Sequence, residues 1–310
     1  MLIWARDADL FVQRLSARFP AIAFVKAIER GEALKVCGDC DVLIARNDEV
    51  FEGFVQAMPR LRWIQALTTG TDRIEAIPDL PADVIVTAAR GFHGPQMSEL
   101  AFLLMLSLSR DYPAVAANQK QHRWVRWPQK LLLGKTVVLV GVGAVGAELA
   151  KRCHAFGMQV IGVDSVRKSA PGVEAMHTPD RLTELAAEAD FLIVLVPFTA
   201  ETHHLVDARV LAAMKPSGIL INISRGQVMD EAALIRALAA KQIAGAGLDV
   251  FQTEPLPADS PLWDLPNVMI TPHVGGMSDI YAEQVLPILI DNIAAYAAGD
   301  CSRLRYVVKN

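Results

Sequence analysis

No stretch of this sequence approaches the roughly 20 consecutive apolar positions that a bilayer-crossing helix needs. The longest nearly uninterrupted runs are of the size of "AFLLMLSLS". The opening residues, "MLIWARDADL", carry Arg6, Asp7 and Asp9 where a secretory signal would place its apolar segment, so a cytoplasmic location is expected. Blocks of one charge are absent as well. Lys and Arg total 30 against 34 Asp and Glu, a net charge of −4 with no arginine-rich stripe, which excludes the electrostatic footprint of a duplex-binding protein. Cysteine is scarce: Cys37 and Cys40 form a lone C-x-x-C, and Cys153 and Cys301 stand apart. A zinc site needs a second ligand pair at short spacing, so no metal is expected, and "CGDC" reads as chance spacing beside a strand. Repeats and low-complexity tails, the marks of a scaffold or linker, are also missing.

What is present suits two domains, since 310 residues can bury two separate cores. Short β-branched or apolar runs alternate with helical patterns, the signature of parallel α/β layers. In the first third the expected strands are "LIWA", "AIAFV", "DVLIAR", "RWIQAL" and "DVIVTA". From Pro95 a helical stretch, "PQMSELAFLLMLSLSRDY", leads through the connector "HRWVRWPQKLLLGK" to "TVVLVG", "QVIGVD", "FLIVLV", "GILINI", "AGAGLDV" and "NVMIT". Six strands with crossover helices predict a doubly wound nucleotide-binding sheet. A last helix is expected from Ser278 to about Ala298, with Pro287 as a kink and Gly299 as its stop.

Within the second set, "VVLVGVGAVGAELA" places Gly141, Gly143 and Gly146 in G-x-G-x-x-G spacing between an apolar strand and a helix. The first glycine permits the tight turn, the second removes a side chain that would block a pyrophosphate, and the third lets the helix pack close to the strand. The spacing alone is weak in a glycine- and alanine-rich chain. Its context strengthens it, because the next strand ends in Asp164, 23 residues after Gly141, where an acid reads the adenosine ribose hydroxyls. NAD is therefore favoured. Arg167 and Lys168 follow closely enough to accommodate the phosphate of NADP, so NADP remains possible.

In open α/β sheets ligands sit beyond the carboxyl ends of the strands. Three polar residues stand at such ends: Arg225 after "ILINIS", Glu254 after "GAGLDVFQT" and His273 after "VMIT". Singly, each reads more readily as a solvated charge, a turn residue before Pro255 or a structural histidine. Together, beside a dinucleotide loop, they supply a carboxylate-binding cation and a proton donor for a 2-oxo acid.

The chain resembles the D-isomer-specific 2-hydroxyacid dehydrogenase family, of the glyoxylate/hydroxypyruvate reductase type. The motifs that carry the resemblance are "GVGAVG" with Asp164, "VPFTAETHHLV", "LINISRGQVMDEAAL", "GAGLDVFQTEPLP" and "VMITPHVGG", in order along the chain. The resemblance implies an α/β fold in which a Rossmann-type doubly wound parallel sheet domain, residues 96–284, joins a flavodoxin-like α/β substrate domain, residues 1–95 completed by 285–310. It implies an NAD(P)-dependent 2-oxoacid reductase that works in a closing cleft, with Arg225 on the substrate carboxylate, His273 as general acid/base and Glu254 holding and charging that imidazole. It further implies cofactor contacts at Gly141, Gly143, Ala144, Val145, Gly146, Asp164, Pro197, Thr202, Ser224, Asp249 and Gly275, with Asp249 facing the nicotinamide carboxamide. "ALTTGTDRI" resembles the loop whose amides at Thr69, Gly70 and Thr71 help hold the substrate, and "TAARGFHGPQMSE" the loop before a helix with Glu99 in a recurrent acidic position. A homodimer acting on a small 2-oxo acid, with no nucleic-acid or membrane partner, is the expected assembly. The competing reading is a nucleotide-sensing, corepressor-like binding protein of the same fold.

Overall fold

The computed structural model describes residues 1–309. By compactness it divides into one unit of Met1–Phe92 with the segment from Ser278 onward, and a second of His93–Met277. The boundaries read from the sequence were 95/96 and 284/285. The strands in chain order are β1 (Leu2–Trp4), β2 (Val25–Ala27), β3 (Val42–Ala45), β4 (Trp63–Ala66), β5 (Ile85–Thr87), β6 (Thr136–Val140), β7 (Gln159–Val163), β8 (Ala175–His177), β9 (Phe191–Val194), β10 (Ile219–Asn222), β11 (Gly245–Leu248), β12 (Val268–Ile270) and β13 (Val307–Lys309).

The first unit holds a six-stranded sheet in the order β13-β5-β4-β3-β1-β2, parallel except for β13, which pairs antiparallel with β5. Without β13 this is the 2-1-3-4-5 order of flavodoxin-like sheets, as expected. The centre strands read "VLIA" and "WIQA" and are buried throughout, because each sheet face carries its own layer. One layer is built around Phe54, Ile64 and Ile74. The other packs Phe11 and Leu15 of the helix Ala8–Arg18 with Val285, Leu289 and Ile293 of the helix Tyr281–Ala297. That helix contains Pro287 and is followed by Gly299 at φ +72°, the left-handed stop anticipated from the sequence.

The second unit is a seven-stranded, all-parallel sheet in the order β12-β11-β10-β9-β6-β7-β8. The strand order reverses at β6, whose neighbours are β7 on one side and β9 on the other, so the glycine loop leaves the sheet at the topological switch point where ligands bind. The sheet has one more strand than the sequence predicts. β8, "AMH", is a three-residue edge strand that pairs only with β7 and is half-buried along its length, so it lacks the apolar run that reveals a central strand. The long helical stretch also breaks differently: Gly94–Ser109 stops at Asp111, which adopts φ 50°, and a second helix runs Tyr112–Lys120. No single helix among the described residues is long and apolar enough to cross a membrane.

Candidate active site

The glycine loop is shaped by steric need. Gly141 has φ +99°, and a Cβ there would lie 2.9 Å from the Val196 backbone nitrogen. A Cβ on Gly146 would come 2.3 Å from the Gly141 carbonyl oxygen, so only glycine lets the helix Ala144–Ala155 close on the turn. Gly143 is the opposite case: a Cβ there would meet no heavy atom within 4 Å. Its open side adjoins the first-turn amides of Ala144 and Val145, which have no intrahelical acceptor. An unobstructed backbone beside a twelve-residue helix N-terminus fits a dinucleotide pyrophosphate.

Asp164 follows β7 directly. Its Oδ2 accepts the Val142 N–H and its Oδ1 those of Val166 and Arg167, each at 2.9 Å. Burial pushes this carboxyl up, but the three amide bonds and the Arg167 charge outweigh it and hold Asp164 below the ordinary carboxylate range. The carboxylate therefore ties the glycine loop to the next loop while keeping part of its acceptor capacity. Beside it lies a cavity of about 190 Å³ lined by Asp164, Arg167, Lys168, Met176, His177 and Thr178. His177 and Thr178, at and after the unpredicted edge strand, were not among the sequence candidates, and only the position of β8 beside β7 brings them here.

At the end of β9, the Thr202 hydroxyl donates to the Pro197 carbonyl at 2.7 Å and accepts the Thr199 N–H at 2.7 Å, so it closes the 197–202 turn. At the end of β10, fully buried Asn222 organises the next turn. Its Oδ1 accepts from the Ser224 hydroxyl at 2.9 Å and its Nδ2 donates to the Arg225 carbonyl at 3.0 Å. Asn222 was also missed; the visible signal was an amide side chain inside the apolar run "ILINI". Arg225 donates through Nη1 to the Ser224 carbonyl at 2.8 Å. A Cβ on the next residue, Gly226, would fall 1.9 Å from the Phe251 carbonyl carbon. The turn bearing Arg225 thus lies against the main chain leading to Glu254.

Glu254 Oε1 accepts the Phe251 N–H at 3.1 Å, and Oε2 stands 2.8 Å from His273 Nδ1. Burial raises the Glu254 carboxyl, yet the His273 hydrogen bond and charge, the Phe251 amide and the Arg225 charge together bring it below its usual value. With Nδ1–H donating to the carboxylate, Nε2 is the nitrogen left to gain and lose a proton. Thus β10, β11 and β12, adjacent and parallel, bring together at their carboxyl ends the three residues singled out from the sequence. Asp249, between them, is 1 % exposed; its carboxylate accepts from the Thr271 hydroxyl, the Val274 N–H and the Gly275 N–H.

Thr69, Gly70 and Thr71 belong to the first unit, after β4. The Thr69 hydroxyl donates to the Ala89 carbonyl at 3.0 Å, and Arg90 Nε donates to the Thr69 carbonyl at 3.4 Å. His93 begins the helix Gly94–Ser109 next to Gly276, and burial pulls its imidazole down to about 4, so it is neutral near pH 7. Glu99, itself exposed, faces half-buried Arg152 at 3.9 Å. Cys37 and Cys40 are buried free thiols that burial pushes up, which makes them poor nucleophiles. Among the described residues no group of three or more His, Cys, Asp or Glu could hold a metal ion.

Residues 102–275 match the family model described as "D-isomer specific 2-hydroxyacid dehydrogenase, NAD binding domain". The chain is 36% identical over 267 residues to a glyoxylate/hydroxypyruvate reductase B of Pectobacterium carotovorum, covering 83% of this chain and 82% of that protein. A D-isomer specific 2-hydroxyacid dehydrogenase family protein of Aeromonas salmonicida superposes with a TM-score of 0.91 at 33% identity, covering 99% of this chain and 97% of that one. A D-isomer specific 2-hydroxyacid dehydrogenase of Xanthobacter autotrophicus, solved with NADPH and MES, superposes with a TM-score of 0.83 at 28% identity, covering 99% and 96%. The chain therefore belongs to the D-isomer specific 2-hydroxyacid dehydrogenase family of oxidoreductases, and carries that family's NAD(P)-binding domain in its second unit.

Proposed function

We propose that the protein interconverts a small 2-oxo acid and the corresponding D-2-hydroxy acid with His273 as general acid/base. The observation that carries this reading is the 2.8 Å bond from His273 Nδ1 to Glu254 on the strand-end next to Arg225. The nicotinamide, when bound, supplies or accepts the hydride at C2. Arg225 holds the substrate carboxylate through paired charge-assisted hydrogen bonds, which fix its orientation as well as its position. His273 Nε2 gives a proton to the carbonyl oxygen during reduction and takes it back during oxidation, while Glu254 keeps the imidazole aimed and stabilises its cation. The test is oxidation of NADH and NADPH against glyoxylate, hydroxypyruvate, pyruvate, oxaloacetate and phenylpyruvate. Turnover supports the reductase, whereas nucleotide binding without turnover on any acid transfers support to a sensor.

The cofactor is held by the backbone at Gly141, Gly143, Ala144, Val145 and Gly146. Pro197, Thr202, Ser224, Asp249 and Gly275 form the strand-end turns along the nicotinamide half. Asp164 favours NADH by accepting from a ribose hydroxyl and repelling a 2′-phosphate. Arg167, Lys168 and Thr178 around the neighbouring cavity give NADPH an alternative purchase. Arg167→Ala is accordingly expected to raise the KM for NADPH about tenfold, the loss of one charge-assisted contact, and to leave that for NADH within about twofold. Equal effects on both cofactors would place Arg167 outside phosphate recognition.

The working form is read as a homodimer, consistent with Trp124 (89 % exposed) and Leu133 (67 % exposed) on the connector. Sedimentation equilibrium should give twice the 33.7 kDa chain mass; a persistent monomer at micromolar concentration would refute this.

A further inference from the structure

His273 carries its imidazole on a backbone that its side chain does not favour. Its φ is +53°, in the left-handed region that few residues other than glycine adopt; histidine enters it more often than most, and the surrounding contacts decide how firmly it is held there. The imidazole gains little from packing, since the side chain is 44% exposed. Its aim therefore depends on the main chain and on the single bond to Glu254.

Most of the bonds that hold it come from Asp249, beside one from the His273 N–H to the Thr271 carbonyl at 3.1 Å. The Asp249 carbonyl accepts the His273 N–H at 2.8 Å. The Asp249 carboxylate takes the Thr271 hydroxyl and, at 3.0 and 2.9 Å, the N–H groups of Val274 and Gly275. Asp249 is itself anchored at the end of β11, with its N–H on the Asn222 carbonyl at 3.0 Å. The helix Gly94–Ser109 closes on the same glycine: a Cβ on Gly275 would lie 2.7 Å from Leu100 Cδ2, 3.0 Å from Met97 Sδ and 3.0 Å from Asp249 Oδ2. Carboxylate and helix thus converge on Gly275 and leave it no room to shift, which pins the end of the turn that carries the imidazole.

We infer that Asp249 is a positioning residue for proton transfer: its carboxylate clamps the Thr271–Gly275 turn and so keeps His273 in the left-handed conformation that points Nδ1 at Glu254. This rests on the reading of His273 as the acid/base and adds to the carboxamide contact expected of Asp249. A carboxylate suits the task because both oxygens only accept, matching one hydroxyl and two amide donors. Asparagine, nearly identical in shape, would turn an NH₂ toward one of those amides and press the turn outward.

The experiment compares Asp249→Asn, His273→Ala and the double variant, each checked for folding by its thermal melt. Asp249→Asn is expected to lower kcat about a hundredfold, as misplacement of a reacting group does, with the Kd for NADH rising by no more than about tenfold, the loss of its own carboxamide contact. In the His273→Ala background the same change should cost less than about twofold, because residues acting as a unit are not additive. Thr271→Val, which removes one of the carboxylate's three donors and serves if Asp249→Asn does not fold, should lower kcat several-fold in the same non-additive way. A raised Kd for NADH with unchanged kcat, or effects that add in full, would overturn the inference and leave Asp249 as a cofactor contact only. If His273→Ala alone keeps near-normal turnover, the acid/base assignment falls and this inference with it. If His273→Ala is inactive while Asp249→Asn and Thr271→Val are normal, only the positioning role falls.

Discussion

His273→Ala is expected to lower kcat for 2-oxoacid reduction by ~10²–10⁴, the usual contribution of a positioned general acid. The Kd for NADH should change little, since the imidazole is read as acting on the substrate carbonyl rather than on the dinucleotide. The pH dependence gives a second readout with a definite sign. Reduction takes up a proton at the substrate oxygen and oxidation releases one, so wild-type reduction should slow as pH rises, and oxidation should show the reverse. The alanine variant should lack that limb in both directions. Glu254 is held below the ordinary carboxylate range, because the hydrogen bond and charge of His273, with the Phe251 amide and the Arg225 charge, overcome the upward push of burial. A variant that kept near-normal turnover, or the same pH limb, would remove His273 as the proton carrier.

Arg225→Ala should reduce kcat/KM for the oxo acid by ~10²–10³, the range that follows from leaving a bound carboxylate without its cation. Both parameters should move. The apparent KM rises because ground-state binding is lost, and kcat falls because the carbonyl is no longer held in line with the hydride and the proton. Arg225→Lys should recover only part of the loss, since an ammonium offers a point charge where the guanidinium offers a planar fork. Steady-state kinetics with glyoxylate at saturating NADH separates these effects. Unchanged KM and kcat would mean that the carboxylate is held elsewhere.

The parts of this site differ in how far they could be read from residues. The glycine loop and Asp164 were legible because their signal is local: a strand, a turn and a helix follow one another within 30 residues, and each glycine answers a steric demand made by its neighbours. The central strands were legible for a similar reason, since strands buried on both faces show as uninterrupted apolar runs. β2 lies later than the expected "AIAFV", at Val25–Ala27, because only the end of that run pairs with β1. β8 and β13 left no such trace. Each is three residues long and at a sheet edge, held by pairing with a neighbour rather than by an apolar face of its own. His177 and Thr178 went unseen with β8, although they line the cavity beside Asp164.

The sequence by itself determined the family, the α/β class and the three strand-end residues Arg225, Glu254 and His273, because these follow from motif order and from hydrophobic periods that repeat over short windows. Tertiary structure alone decided what those residues touch. Glu254 and His273 are 19 positions apart, yet meet at 2.8 Å because β11 and β12 are neighbours in a sheet whose order is set by crossover connections. The same adjacency commits the Asp249 carboxylate to the turn around His273, where the sequence showed only an acid after a strand. Local patterns specify elements; side-chain partners from separate elements depend on strand order and on the close approach of backbones, as at Gly226, which no single window of sequence contains.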